Sequence, residues 1–377
     1  MPLGPSEPMG AQAASSPPHS AFGTPRFNNV VIGLAGALIC LICLREFSSI
    51  IAPWFLAINL MITAYPLHTW LVRRGTPSWL SAMVVSLTVF AVLVAMVSGL
   101  VWSVSEMIGI LPQYSDEFTV LYKQTSDWAV NELNLDSTAF NRMLASLDPT
   151  RFLGAATSLL SGASGMIGLI GVIVAAIVFM AMDTPGLDKR MRLLDQNRSR
   201  ISVAIGSFAR GVRRYWLVTT VFGLIVAVFD GIALAIMGVP LAIVWAIFSF
   251  LTNYIPNIGF VIGLIPPALV ALFANGWQTA VLVIVMYSVL NFVIQSIIQP
   301  RFAGESVGVT PTVSFVSLLL WAAVLGGMGT LLALPMTLLV KSLVIDADPR
   351  ARWVNALIAS DPKDAEIPEE DQAGDDD

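Results

Sequence analysis

From Val30 to Lys341 the chain alternates long apolar runs with short charged interruptions. A helix in hydrocarbon satisfies its own backbone polar groups and needs about 20 apolar residues to cross. The runs therefore predict membrane helices. The first covers 29–44 and stops at Arg45-Glu46; the second covers 50–70 and is followed by Arg73-Arg74-Gly75. Pro77 opens the third, 79–104, in the position where a missing N–H is harmless. The fourth, 159–182, carries Gly162, Gly165, Gly168 and Gly171 at every third residue, small residues that let helices pack closely in lipid. The fifth and sixth cover 215–238 and 277–299.

Two stretches do not fit this pattern. Residues 240–275 hold two short apolar pieces split by Asn253-Tyr254-Ile255-Pro256-Asn257-Ile258-Gly259, and Pro266-Pro267 interrupts the second piece. Residues 311–341 are broken at Gly326-Gly327-Met328-Gly329 and again at Pro335. Each stretch follows a full-length helix, and each reads as a re-entrant hairpin, as a pair of short tilted helices or as one kinked helix. Broken helices at membrane depth survive where protein or a water-filled cavity covers the freed backbone groups, and paired Gly/Pro-interrupted segments point to a transporter's binding site.

The segments between the runs set the orientation. Residues 183–214 carry eight basic residues against three acids, and with Arg73-Arg74 they are expected on the cytoplasmic side. Residues 105–152 carry seven acids and three basic residues; Phe118, Leu121, Tyr122, Thr125, Trp128 and Ala129 recur at helical spacing, which predicts an external amphipathic helical insert. Both termini then fall inside, and Arg45 falls outside as a mild violation. Residues 1–28 are expected to form a disordered cytoplasmic arm, because they lack the basic region and apolar core of a signal peptide.

Composition sharpens this. The chain is 56% hydrophobic and 12% charged, more apolar surface than an aqueous domain carries. The formal net charge of -5 comes from the tail at 346–377, whose last 17 residues hold nine acids and one lysine; the tail is expected to be solvated. Cys40 and Cys43 form a CxxC inside the first apolar helix, with no second ligand pair, and read as apolar helix residues. Gly162-Ala163-Ser164-Gly165 matches the serine motif of intramembrane proteases, but that chemistry needs a base, and the histidines are His19 in the arm and His68 at the end of the second helix. There is no HExxH and no phosphate loop. The chain is read as a non-enzyme without metal, cofactor or nucleic-acid partner, and any transport as secondary.

The candidate chemistry lies in the second half. Asp230 is an acid within the fifth helix, where a carboxylate costs about 2.5–3.5 kcal/mol on insertion scales and marks a functional position by default. It adjoins the small-residue face Gly223, Ala227, Gly231 and Ala235, so it is expected to point into the protein, either as a proton, sodium or substrate site or as a structural acid. Asn253 and Asn257 flank the first break. Asn291, Gln295 and Gln299 recur every fourth residue, which suits either a water-lined pathway or interhelical hydrogen bonds. Arg301 and Glu305 sit at the inner mouth as a candidate gate pair or a plain surface pair. Pro256, Gly259, Pro266, Pro267, Gly326, Gly327, Gly329 and Pro335 are candidate hinge or broken-helix positions.

An ordered set of local patterns resembles the autoinducer-2 exporter-like permeases of bacterial inner membranes. It comprises Pro66…Arg73-Arg74-Gly75; Gly238-Val239-Pro240; Ile255-Pro256-Asn257-Ile258-Gly259; Gln299-Pro300…Gly304…Val307-Gly308-Val309-Thr310-Pro311; and Gly326-Gly327-Met328-Gly329 followed by Ala333-Leu334-Pro335. The resemblance covers roughly 30–345; Asn257 stands where that family usually has an aromatic. It implies about eight membrane segments, both termini cytoplasmic, and export of a small solute such as a quorum signal of the autoinducer-2 type, or sodium–proton exchange.

The resulting expectation is an all-α polytopic membrane protein with about eight segments, two of them broken or re-entrant, and one external insert. Its parts are an arm at 1–28, three helices at 29–104, the insert at 105–152, a fourth helix at 153–182, a basic cytoplasmic loop at 183–214, a transport core at 215–345 and an acidic tail at 346–377. The function read is a secondary permease exporting a small solute across the inner membrane, with proton or sodium coupling, as a homo-oligomer. A non-transporting membrane scaffold or regulator is the alternative.

Overall fold

The computed structural model describes residues 25–114, 120, 149–183, 186–197, 199–256, 258–299, 309–347, 351 and 354–358. Among these, all regular structure is helical. The helices are α1 (Pro25–Glu46), α2 (Ser48–Arg73), α3 (Ser78–Ile110, continued by a 3-10 turn at Leu111–Tyr114), α4 (Pro149–Asp183), α5 (Leu187–Asn197) and α6 (Ser199–Ile236). Then come α7 (Ala242–Thr252), α8 (Gly259–Asn275), α9 (Trp277–Asn291, with a π-helical extension Phe292–Ile298), α10 (Pro311–Leu325), α11 (Gly327–Lys341, with a π-helical extension Ser342–Asp346) and α12 (Asn355–Ile358). Most of the expected insert at 105–152, most of the expected tail at 346–377 and most of the expected arm lie outside the described residues.

Among the described residues six helical stretches are long and apolar enough to cross a membrane: Asn29–Glu46, Ser48–Arg73, Ser78–Ile110, Arg200–Ile236, Trp277–Ile298 and Gly327–Asp346. Helices α7, α8 and α10 are shorter, at 11, 17 and 15 residues. The described residues divide into two compact units, one up to Glu46 and one from Phe47 on. Cys40 and Cys43, in the first unit, are free and exposed.

Helix α6 is 38 residues long, about 57 Å, and its neighbours can be placed along it. Ser207 Oγ donates to Asp346 Oδ2 at 2.8 Å, and Lys341 lies 3.7 Å from the other carboxylate oxygen of Asp346. Gly211 faces Leu338. Gly223 faces Phe250 and Asn253, Asp230 bonds Ser249, and Gly231 faces Ala246. Asn275 Nδ2 reaches the Gly238 carbonyl, just past the end of α6, at 3.5 Å. Helices α7 and α11 therefore both run antiparallel to α6. The α7–α8 pair has its free ends at the Gly238 end of α6 and its turn near Gly223. The α10–α11 pair has its free ends at the Ser207 end. The two hairpins enter from opposite ends of one long helix.

Each hairpin closes by the same device. A Cβ on Gly259 would collide with the Thr252 carbonyl, and one on Gly329 with the Trp321 carbonyl. In both, the second helix rests its first turn on the backbone of the first, which only glycine permits. The break between α10 and α11 is Gly326, with φ 65°.

The prolines behave differently from the sequence expectation. Pro266 and Pro267 lie inside a continuous α8, and Pro335 inside a continuous α11. The true breaks are the turn at 253–258 and Gly326. A proline removes one i→i−4 bond, a loss that packing can offset when the helix is held on its neighbours. In α2, Pro66 leaves the Ile62 carbonyl without its helical donor, and Arg213 Nε of α6 donates to that carbonyl at 3.3 Å. Much of the expected basic loop at 183–214 is likewise helical, in α5 and the first turns of α6.

Candidate functional site

Between the turn of the first hairpin and the base of the second lies a cavity of about 170 Å³. Helix α6 supplies Tyr215, Thr219, Phe222 and Gly223; the first hairpin supplies Asn253, Ile255, Pro256 and Phe260. The π-helical end of α9 supplies Gln295 and Gln299, and the second hairpin supplies Ser314 and Leu334. None of these described lining residues is charged. Three side-chain amides and three hydroxyls face it against an apolar backing of Phe222, Phe260, Ile255 and Leu334.

Each amide is delivered by a local irregularity. Asn253 caps α7, donating its backbone N–H to the Ser249 carbonyl at 3.0 Å. Both polar atoms of its side chain are buried, and among the described residues neither has a hydrogen-bond partner. A buried amide without partners is costly, and this one stands at the cavity wall. Gln295 Nε2 donates to Asn291 Oδ1 at 2.8 Å, and Asn291 Nδ2 donates to the Tyr287 carbonyl at 2.9 Å. The four-residue spacing of Asn291, Gln295 and Gln299 thus resolves into a buried anchor, Asn291, and two cavity residues. Gln295 lies within the π turn Phe292–Ile298 and Gln299 directly follows it, a helix irregularity frequent at functional sites. Tyr215 Oη donates to the Tyr254 carbonyl at 3.3 Å, and Thr220 Oγ1 pairs with Tyr254 Oη at 2.9 Å, so the turn after Asn253 is fastened to α6.

Asp230 lies beyond the cavity toward the Gly238 end of α6. It is 0% exposed, and Ser249 Oγ donates to its Oδ2 at 2.7 Å. Its Oδ1 has no partner among the described residues. Tyr287 of α9 is also 0% exposed, and its hydroxyl is without a described partner. Asp230 is therefore inward-facing, but it does not line the cavity. Ser249 and Asn253, one helical turn apart on α7, connect the two places.

Of the residues singled out from sequence, Asn253, Gln295, Gln299 and Pro256 meet at the cavity. Asp230 and Asn291 stand behind it. Gly259, Gly326, Gly327 and Gly329 form the hairpin closures, and Pro266, Pro267 and Pro335 are interior helix residues. Asn257, Arg301 and Glu305 lie outside the described residues. Among the described residues no cluster of His, Cys, Asp and Glu suits a metal. Sequence reading missed Ser249, Tyr215, Thr219, Tyr287 and Ser314. Two of these carried a signal: Tyr215 and Thr219 extend the four-residue stripe Gly223, Ala227, Gly231, Ala235 toward the start of α6.

Residues 29–347 match the model of the AI-2E family transporters. The chain is 32% identical over 314 residues to YhhT of Escherichia coli (strain K12), covering 83% of this chain and 89% of that protein. It is 28% identical over 312 residues to TqsA of the same strain, an AI-2 transport protein, covering 82% of this chain and 90% of TqsA. YrrI of Bacillus subtilis (strain 168) is 24% identical over 323 residues, covering 79% and 86%. Long apolar helices, opposed helical hairpins and a polar cavity between them belong to a multi-pass membrane transport protein, and the chain belongs to the AI-2E transporter family.

Proposed function

We propose that the protein is a secondary permease that exports a small, uncharged, polar solute across the bacterial inner membrane, with the cavity between the hairpins as its solute site. The observation that carries this is the cavity's lining: amides and hydroxyls, no described charge, and a volume suited to a molecule of roughly a dozen heavy atoms. Asn253, Gln295 and Gln299 present both donors and acceptors, which matches hydroxyl and carbonyl groups rather than an ion. A solute of the autoinducer-2 type fits this description, and TqsA is an AI-2 transport protein.

In this reading the two hairpins are re-entrant and open to opposite sides, with both termini cytoplasmic. The level of their turns along α6 supports it, as does the shortness of α7 at 11 residues, about 17 Å, against the roughly 30 Å a crossing needs. Asp230 is the coupling acid, which takes up a proton or sodium ion on one side and releases it on the other. Its burial and open Oδ1 support the assignment.

Inverted membrane vesicles test the solute assignment directly. Vesicles carrying the protein should accumulate autoinducer-2 faster than vesicles without it, and Asn253→Leu should abolish the difference at equal expression. Uptake equal in all three would remove this solute. Uptake retained in Asn253→Leu would remove the cavity as its site.

A further inference from the structure

Asp230 and the cavity do not touch, so a permease that couples them needs a mechanical link. We propose that Ser249 is the positioning residue that carries the charge state of Asp230 to the cavity. This rests on the reading of Asp230 as the coupling acid.

Ser249 is 1% exposed and makes contacts in both directions. Its hydroxyl donates to Asp230 Oδ2 at 2.7 Å. Its carbonyl accepts the backbone N–H of Asn253 at 3.0 Å and Thr252 Oγ1 at 3.1 Å. The side chain thus holds the carboxylate, while the main chain holds the turn that presents the Asn253 amide. The opposing helix leaves no slack: a Cβ on Gly263 of α8 would lie 2.8 Å from Thr252 Oγ1 and 3.3 Å from Ser249 Cα. Displacement of Ser249 must therefore be passed along the hairpin.

The driving term is the strength of one hydrogen bond. With Asp230 ionised, the Ser249 hydroxyl donates to an anion, and such bonds are roughly twice as strong as neutral ones. A proton added to the open Oδ1 removes the charge without breaking any other bond. The Ser249 contact then weakens, and α7 relaxes away from α6. The reverse follows when the proton leaves.

Few other ionisable groups interfere. The α7 sequence AIVWAIFSFLT has none, and the ionisable side chain of α9 is the buried Tyr287. Lys341 and Asp346 of α11 meet α6 at Ser207, 23 residues or about 34 Å of helix away. Helix α2 meets α6 at Phe208 and Arg213, the nearer 17 residues from Asp230. The basic side chains of α5 precede the start of α6.

The test places a reporter cysteine at Ile255 in full-length protein lacking Cys40 and Cys43, reconstituted in lipid vesicles. The rate of modification by a maleimide is measured across about pH 5 to 9. Each rate is divided by that of the same protein with Asp230→Asn, which cancels the titration of the thiol itself. The parent ratio should change at least about threefold across the range. Ser249→Ala should flatten it, and Ser249→Thr, which keeps the hydroxyl, should retain most of the change. A full parent-like change in Ser249→Ala overturns the proposal, as does a Ser249→Thr profile as flat as that of Ser249→Ala. A flat ratio in the parent is a different failure, which removes Asp230 as the coupling acid and this link with it.

Discussion

Arg213 offers a prediction whose size follows from the structure. Pro66 has no N–H, so the Ile62 carbonyl in the middle of α2 lacks its helical donor, and the Nε of Arg213 takes that place at 3.3 Å. Replacing Arg213 by Met keeps the apolar stem and removes the donor. The partly buried carbonyl is then left unmade, at a cost of about 1–3 kcal/mol. Pro66→Ala restores the missing N–H and lets α2 bond internally. In that background Arg213→Met should cost little, because the carbonyl already has a partner. The coupling between the two substitutions should be about 1–2 kcal/mol. Thermal unfolding in detergent reads it: Arg213→Met should lower Tm by about 2–6 °C in the parent and by less than about 1 °C with Pro66→Ala. Equal losses in both backgrounds would refute the capping argument and leave Arg213 an ordinary charge at the base of α6.

Further consequences can be checked on the same preparations. Gly329→Ala should prevent recovery of folded protein, since its Cβ collides with the Trp321 carbonyl, whereas Gly327→Ala, with nothing within 4 Å, should behave as the parent in size-exclusion chromatography. Truncation after residue 353 removes Ile358, whose carbonyl accepts the Thr310 N–H at 2.9 Å at the start of α10, and should lower Tm by about 2–4 °C; truncation after residue 360 should leave it unchanged. A cysteine at Ile258, at the turn of the first hairpin, should react slowly with a membrane-impermeant reagent, and fast labelling would make that turn a surface loop. Single cysteines at Ser199 and Ser126 should label from opposite sides of the membrane, and labelling of both from the same side would overturn the orientation.

The helical class, five of the six candidate spans and the two interrupted stretches could be read from sequence because hydrocarbon imposes a length and a backbone rule with few exceptions; the sixth span, Gly327–Asp346, was expected only as part of a broken stretch. Asp230 was equally visible, since an acid in an apolar helix has few explanations. Asn253 stood out as an amide beside a break. The prolines of α8 and α11 misled, because a chain pattern registers the lost hydrogen bond but not the packing that tolerates it. Ser249 could not be found, because a serine in an apolar helix usually bonds its own backbone, and only the third dimension brings it within 2.7 Å of Asp230. Arg213 was counted with its neighbours as a cytoplasmic charge, and its role emerges only when α2 lies across it. The resemblance to a permease family had pointed to the region; the folded chain supplied the cavity's membership.

The measurement that bears most directly on the account compares solutes released by cells making the parent protein with those released by cells making Asn253→Leu with Gln295→Leu, at equal membrane expression. The account predicts at least one small uncharged solute enriched outside cells with the parent and lost with the double variant. Enrichment that survives replacement of both amides, or no solute distinguishing the parent from cells lacking the protein, would contradict it.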